Sequence, residues 1–353
     1  MSTPTRSPEP PSAAPASPPT SGSPPAGAGP AGVASAFDWR AHIRIARPDY
    51  WFKNAFVLPG LVIALGTIRG VDAGDVVRRA LVGLLAICLV TSSNYTLNEI
   101  LDAPSDRFHP VKHTRPVPSG RVRVSVAYAQ WLLLFLAGMA LALRVSIPYA
   151  LSLAALWLMA CAYNVPPVRL KDRPYVDVLY EAINNPLRML AGWFIVTDAT
   201  LAPASLLLSY WMIGCYFMAL KRYAELKAID EQPRATAYRR SFAFYTPERL
   251  IVAIMFYAAS AMLFFGAFCM RYRMELILSF PLVALAMAIY LRVALKPNSA
   301  AQHPERLYRE PALMAAVVMT TLVMLVLLRV DLPGMHTLFT PTAPVQDVSG
   351  KPR

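Results

Sequence analysis

The chain has 353 residues, of which 56% are hydrophobic and only 16% charged, well below the ~25% charged content of a soluble domain. Those proportions exclude an ordinary soluble enzyme and point to a polytopic membrane protein. A net charge of +13 would suggest nucleic acid in a soluble chain; here the cations fall in particular loops, so the membrane surface accounts for them and no nucleic-acid partner is expected.

Residues 1–36 are rich in Pro, Ser, Ala and Gly and carry too little apolar surface to repay ordering, so a disordered cytoplasmic tail is expected. From Trp39 to Lys53 the chain is basic and aromatic, which suits an interfacial segment leading into a first span. Apolar runs then predict nine spans: 52–68, 80–98, 128–143, 147–163, 176–196, 201–220, 250–270, 276–293 and 312–330. The expected fold is therefore all-α, with a transmembrane domain over 37–332 and a C-terminal tail over 333–353. Loops after the even-numbered spans hold most of the Lys and Arg. That positive-inside pattern puts the N-terminus, and every dense polar cluster, on the cytoplasmic side of the inner membrane. Cys88, Cys161, Cys215 and Cys269 lie in apolar runs without CxxC spacing, so they read as small buried side chains.

The densest polar stretch follows the second span. Asn98, Asp102 and Asp106 recur every fourth residue, which places them on roughly one helix face. Such oxygen donors suit Mg2+, which keeps waters and phosphate oxygens as further ligands. The ordinary alternative is a solvated helix end. A second acidic pair, Asp177 and Glu181, opens the fifth span one turn apart. Carboxylates at that depth need a metal or cations, and Arg169, Lys171 or Arg188 could supply an ion pair. Arg188 lies two turns deeper, as a phosphate clamp or an acid's partner. After the sixth span, Lys221 and Arg222 suit phosphate, although Lys221 and Glu225 are also spaced for a helix-end salt bridge. His109 and His113 share the loop after the first acidic stretch, where solvation or phosphate contact is expected. Together these clusters point to transfer from a pyrophosphate-bearing donor, with catalysis mainly electrostatic and positional.

These residues resemble the UbiA superfamily of intramembrane prenyltransferases. Asn98-x-x-x-Asp102-x-x-x-Asp106 is similar to that family's first Asp-rich motif, and Tyr163 through Lys171 with Asp177 and Glu181 to its second. Four stretches are similar to its decaprenyl-phosphate phosphoribosyltransferase branch: 46–54, 106–110, 188–192 and 221–226. The resemblance implies nine transmembrane helices, a cytoplasm-facing site, and transfer of phosphoribose from phosphoribosyl pyrophosphate to a polyprenyl phosphate. It makes Asn98, Asp102 and Asp106 the Mg2+–pyrophosphate site and adds Asp177 to the catalytic set. Lys53, Lys112, Arg115, Lys171, Arg188, Lys221 and Arg222 become phosphate contacts, with Asn54, Tyr163 and Glu181 also expected at the substrates. The expected partners are a polyprenyl lipid, a phosphorylated donor and membrane lipids; a homo-oligomer stays open.

Two departures bear on the first motif. Glu99 stands where the branch commonly has Asp, so a changed metal geometry is expected. Pro104 lies inside the motif, so Asp102 and Asp106 are expected on a kink or a loop. Two other readings stay open: prenyl transfer from a prenyl diphosphate to an aromatic or other small acceptor, and a transporter using Asp102 and Asp106 as an ion site.

Overall fold

The computed structural model describes residues 38–107, 112–229, 239–297, 299–302 and 304–339. The expected tail over 1–36, His109, and most of the tail over 333–353 lie outside the described residues. All regular structure among the described residues is helical.

Helix α1 (Trp39–Ile45) buries Ala41, His42 and Ile45 and exposes Trp39 and Ile43 together with Arg40 and Arg44, a composition suited to a membrane interface. The first predicted span is compound: a 3-10 run over Pro48–Val57 continues as α2 (Leu58–Thr67). Pro59 explains the change of pitch, since it has no N–H for an α-helical bond back to Ala55 yet is tolerated in a first turn. Helix α3 (Ala73–Asp106) starts at Asp72, whose carboxylate accepts from the backbone N–H of Gly74 and Asp75. It runs well past the predicted end at residue 98.

Helices α4 (Val124–Val145) and α5 (Ile147–Asn164) meet at Ser146, which caps α5 by accepting from Tyr149 N–H. The fifth predicted span is broken at Ile183 into α6 (Val176–Ala182) and α7 (Asn184–Val196). Pro186 accounts for the break: it cannot donate to the Ala182 carbonyl, and its ring fits only the first turn of a new helix. Helix α8 (Ala204–Lys227) is followed by α9 (Pro247–Tyr272), α10 (Phe280–Leu295), α11 (Pro311–Leu327) and the short α12 (Pro333–Phe339).

Among the described residues, five segments are long and apolar enough to cross a membrane: Val124–Val145, Ile147–Asn164, Ala204–Lys227, Pro247–Tyr272 and Met274–Leu295; Pro311–Leu327 is apolar but shorter. Two apolar clusters hold the bundle. One joins α2, α3, α5 and α7; the other joins α8, α9 and α10. All four cysteines are free, with Cys88, Cys215 and Cys269 buried.

The tightest contact is between α2 and α7. A Cβ on Gly60 would lie 1.9 Å from the Met189 carbonyl oxygen, and one on Gly192 would lie 2.0 Å from that of Val57. Both obstacles are backbone, so neither can yield. The two glycines thus let α7 sit against the first span, which sets where Asn185 and Arg188 point. Gly192→Val is expected to destabilise the fold by about 3 kcal/mol, the upper range for overpacking, read as a lower unfolding midpoint in detergent. Gly66→Ala, where the nearest atom would be Leu328 Cδ2 at 3.6 Å, is expected to be near neutral. Equal midpoints for the two variants would refute the close-approach account.

Candidate active site

The first acidic motif sits on the last three turns of α3. Contrary to the expected loop, the helix is unbroken through Pro104 to Asp106. Pro104 withdraws only the bond to Ile100, and the aspartates on either side of it are held from outside the helix. Asp102 pairs with Lys171 in a short contact and with Arg169 at 3.5 Å. Asp106 pairs with Arg115 at 2.7 Å and Lys112 at 3.7 Å. Burial pushes the Lys112 and Lys171 ammonium groups below the ordinary lysine range, opposed by Asp106 and Asp102 respectively. Lys171 also donates to Asn164 Oδ1 at 3.0 Å. The residues bracketing this lysine, Arg169 (φ 30°) and Tyr175 (φ 62°), occupy the left-handed region that non-glycine residues rarely adopt.

Glu99, one turn before Asp102 on α3, has its own partners. Only 2% exposed, it accepts from Val117 N–H at 3.2 Å and faces Arg47 at 3.9 Å. Its carboxylate therefore pins the loop that carries Lys112 and Arg115.

The second acidic pair is bound up in a charge network centred on Arg222, which is 1% exposed. Its Nε reaches Asp177 at 3.1 Å, and its two terminal nitrogens reach Glu181 and Glu225 at 2.9 Å each. Asp177, 0% exposed, also accepts from Tyr245 Oη at 2.6 Å, Ser241 Oγ at 3.3 Å and Arg239 at 3.3 Å. Burial opposes charge on Arg239, but the carboxylates around it win and hold its guanidinium more firmly charged than usual. Burial, and then the Asp177 charge, push the Tyr245 hydroxyl up, so it stays a donor. The acids thus find Arg222 and Arg239 rather than Arg169, Lys171 or Arg188. Expected at the substrates, Asp177 and Arg222 are enclosed instead: the carboxylate accepts from four donors, the guanidinium meets three carboxylates, and neither side chain lines the cavity between the two apolar clusters.

Between the two apolar clusters lies a cavity of about 710 Å³. Lys53, Asn98, Tyr163, Glu181, Arg188 and Lys221 are on its wall; Asn54, Asp102, Asp106, Lys112, Arg115, Lys171, Asp177 and Arg222 are not. Along α5 the lining runs from Leu156 and Met159 to Tyr163 and Asn164, and along α8 from Ile213 and Phe217 to Lys221, so polarity rises toward the C-terminal ends of both helices, where Tyr163 meets Glu181 and Lys221 meets Glu225. Phe52, Phe56, Met314 and Val317 add apolar wall.

Arg188 is the cation whose environment says most. Among the described residues no carboxylate lies within 4 Å of it; Nε donates to Asn54 Oδ1 at 3.4 Å, and Asn54 is in turn held by Cys88 and Thr91. Lys221 is only 4.0 Å from Glu225, which Arg222 already satisfies. Glu181 reaches the wall while held by Tyr163 Oη at 2.7 Å and by Arg222. Sequence reasoning missed Arg239 and Tyr245, which no local pattern marks. It also missed Asn94, although Asn94 extends the every-fourth series of Asn98, Asp102 and Asp106 by one turn.

Residues 55–317 match the UbiA prenyltransferase family. The chain is 31% identical over 209 residues to a decaprenyl-phosphate phosphoribosyltransferase of Mycolicibacterium smegmatis, covering 59% of this chain and 63% of that protein. It is 29% identical over 225 residues to one of Mycobacterium tuberculosis, covering 64% and 72%. The fold is similar to that of a UbiA homolog from Archaeoglobus fulgidus bound to GPP and Mg2+, with a TM-score of 0.63, 19% identity, and coverage of 82% of this chain and 100% of that one.

Replacing Arg222 by Met would leave Asp177, Glu181 and Glu225 without their shared counter-ion. Breaking a buried ion pair from one side costs about 3–5 kcal/mol, so Arg222→Met is expected to lower the unfolding midpoint strongly. Arg222→Lys is expected to rescue only part, because one ammonium cannot reproduce the fork that meets three carboxylates. A wild-type midpoint in Arg222→Met would show that the network carries no stability.

Proposed function

The chain belongs to the UbiA prenyltransferase family, and we propose that within it this multi-pass membrane transferase moves phosphoribose from phosphoribosyl pyrophosphate to a polyprenyl phosphate, with Mg2+. The observation that carries the reading is Arg188: a cation on a cavity wall, supplied with no carboxylate among the described residues, is available to an anionic ligand. Lys53 and Lys221 line the same wall, and apolar side chains continue it. A cavity of that composition suits a phosphorylated donor meeting a lipid phosphate. The name of the relatives, decaprenyl-phosphate phosphoribosyltransferase, supports phosphoribosyl transfer to a polyprenyl phosphate.

Asn98, Asp102 and Asp106 fit the ion by residue type: three hard oxygen donors on successive turns of α3, one of them on the cavity wall. Bound there, Mg2+ would neutralise pyrophosphate oxygens. The chain's own residues do the rest. Arg188, Lys53 and Lys221 hold phosphate groups. The bond from the ribose C1 to pyrophosphate breaks, pyrophosphate leaves with the bonding pair, and an oxygen of the lipid phosphate forms the new bond to C1. Positive charge grows on the ribosyl carbon during that exchange, and the Glu181 carboxylate on the wall favours it. Asp177 and Arg222 act as positioning residues, since they orient Glu181 and Tyr163 without reaching the cavity. The cations of the loops after α3, α5 and α8 support a site open to the cytoplasm, on the inner membrane.

Transfer from a prenyl diphosphate is the second reading, supported by the solved Archaeoglobus structures bound to GPP or DMAPP with Mg2+. Purified protein given Mg2+, a polyprenyl phosphate and labelled phosphoribosyl pyrophosphate is expected to form a labelled lipid, abolished by EDTA. No labelled lipid, in a preparation that prenylates a small acceptor from a prenyl diphosphate, would favour the second reading. Asp102→Asn and Asp106→Asn are each expected to lower turnover by about 100-fold or more with little change in unfolding midpoint. Wild-type rates in both variants would refute the metal assignment.

A further inference from the structure

The cavity wall carries four side-chain amides: Asn94, Asn98, Asn184 and Asn185. Asn98 belongs with the oxygen donors of α3. The other three carry amides, which a phosphate can use only as donors and a lipid chain cannot use at all.

Their hydrogen bonding is incomplete. Among the described residues, no hydrogen bond uses the Asn184 or Asn185 side chain. Asn94 is tethered only by a long bond, 3.4 Å from Nδ2 to the Leu156 carbonyl, so Nδ2 keeps a donor to spare, while its Oδ1 is enclosed without a partner and does not face the cavity. Polar groups left unpaired inside a membrane protein are expensive and call for a ligand or a water. The fold also makes room for them. Asn184 and Asn185 stand at the α6–α7 break, and a Cβ on Gly214 of α8 would lie 2.2 Å from Asn185 Nδ2, so the glycine leaves space for that amide.

An amide both donates and accepts, and so does a hydroxyl. A phosphate ester only accepts, and an isoprenoid chain does neither. We propose that Asn94, Asn184 and Asn185 read the hydroxyls of the donor's pentose, and so select a phosphorylated sugar over a prenyl diphosphate at the same cations. This rests on the donor reading above. A site built to pair hydroxyls discriminates steeply, because a ligand without them leaves the amides unpaired again.

The test is binding of two ligands, each with Mg2+: phosphoribosyl pyrophosphate and inorganic pyrophosphate, which shares the phosphates and lacks the sugar. Asn185→Leu keeps the side-chain size and removes the amide. It is expected to weaken phosphoribosyl pyrophosphate binding by about 5- to 10-fold and leave pyrophosphate binding unchanged, which also reports that the variant is folded. Gly214→Ala keeps Asn185 but displaces its amide, and is expected to shift the same ligand in the same direction. No loss for the sugar ligand in either variant, or equal losses for both ligands in variants with the native unfolding midpoint, would overturn the inference while leaving the donor reading in place. Wild-type protein that binds the sugar ligand no better than pyrophosphate would remove both.

Discussion

Charge carried to membrane depth has to be met by charge, and in this bundle Arg222 meets three carboxylates at once. The rest of the site depends on that balance. Asp177, Glu181 and Glu225 come from α6 and α8, so the guanidinium ties the start of the fifth span to the end of the sixth. Arg239 and Tyr245, from the loop before α9, close the same network over Asp177. Their side chains would be costly to bury singly; together they satisfy one another.

The two acidic motifs therefore have different physical situations. The aspartates of α3 are paired with cations from loops: Lys112, Arg115, Arg169 and Lys171 are each about a tenth to three-tenths exposed, and a polyanionic ligand can compete for them. The acids of α6 are paired with Arg222, which is 1% exposed, and with Arg239, while Glu181 keeps an edge on the cavity. Glu99 and Asn54 extend the scaffold, one by pinning a loop and the other by steadying Arg188.

Helix breaks put the polar groups where they are. The proline-punctuated first span carries Lys53 and Asn54 on its 3-10 part, and the break before α7 turns Asn184 and Asn185 inward. An unbroken apolar helix would have satisfied its own backbone and offered nothing to a polar substrate. The close approach at Gly60 and Gly192 joins these two irregular segments, so Lys53 and Arg188 share one wall.

The sequence by itself determined that the protein is all-helical and embedded in a membrane, because long apolar runs with clustered cations admit few other structures. It also determined that Asn98, Asp102 and Asp106 fall on successive turns of α3, since a spacing of four is a local property of one helix. Cavity positions of Lys53, Tyr163, Glu181, Arg188 and Lys221 were likewise legible, as ionisable or polar residues at the ends of apolar runs. Only the tertiary structure decided which cation meets which acid: Asp177 and Arg222 are 45 residues apart, and Asp102 and Lys171 are 69 apart. No periodicity encodes such a pair. The same is true of Arg239, Tyr245 and the amides facing the cavity, whose roles come from the space left between helices that meet only after folding.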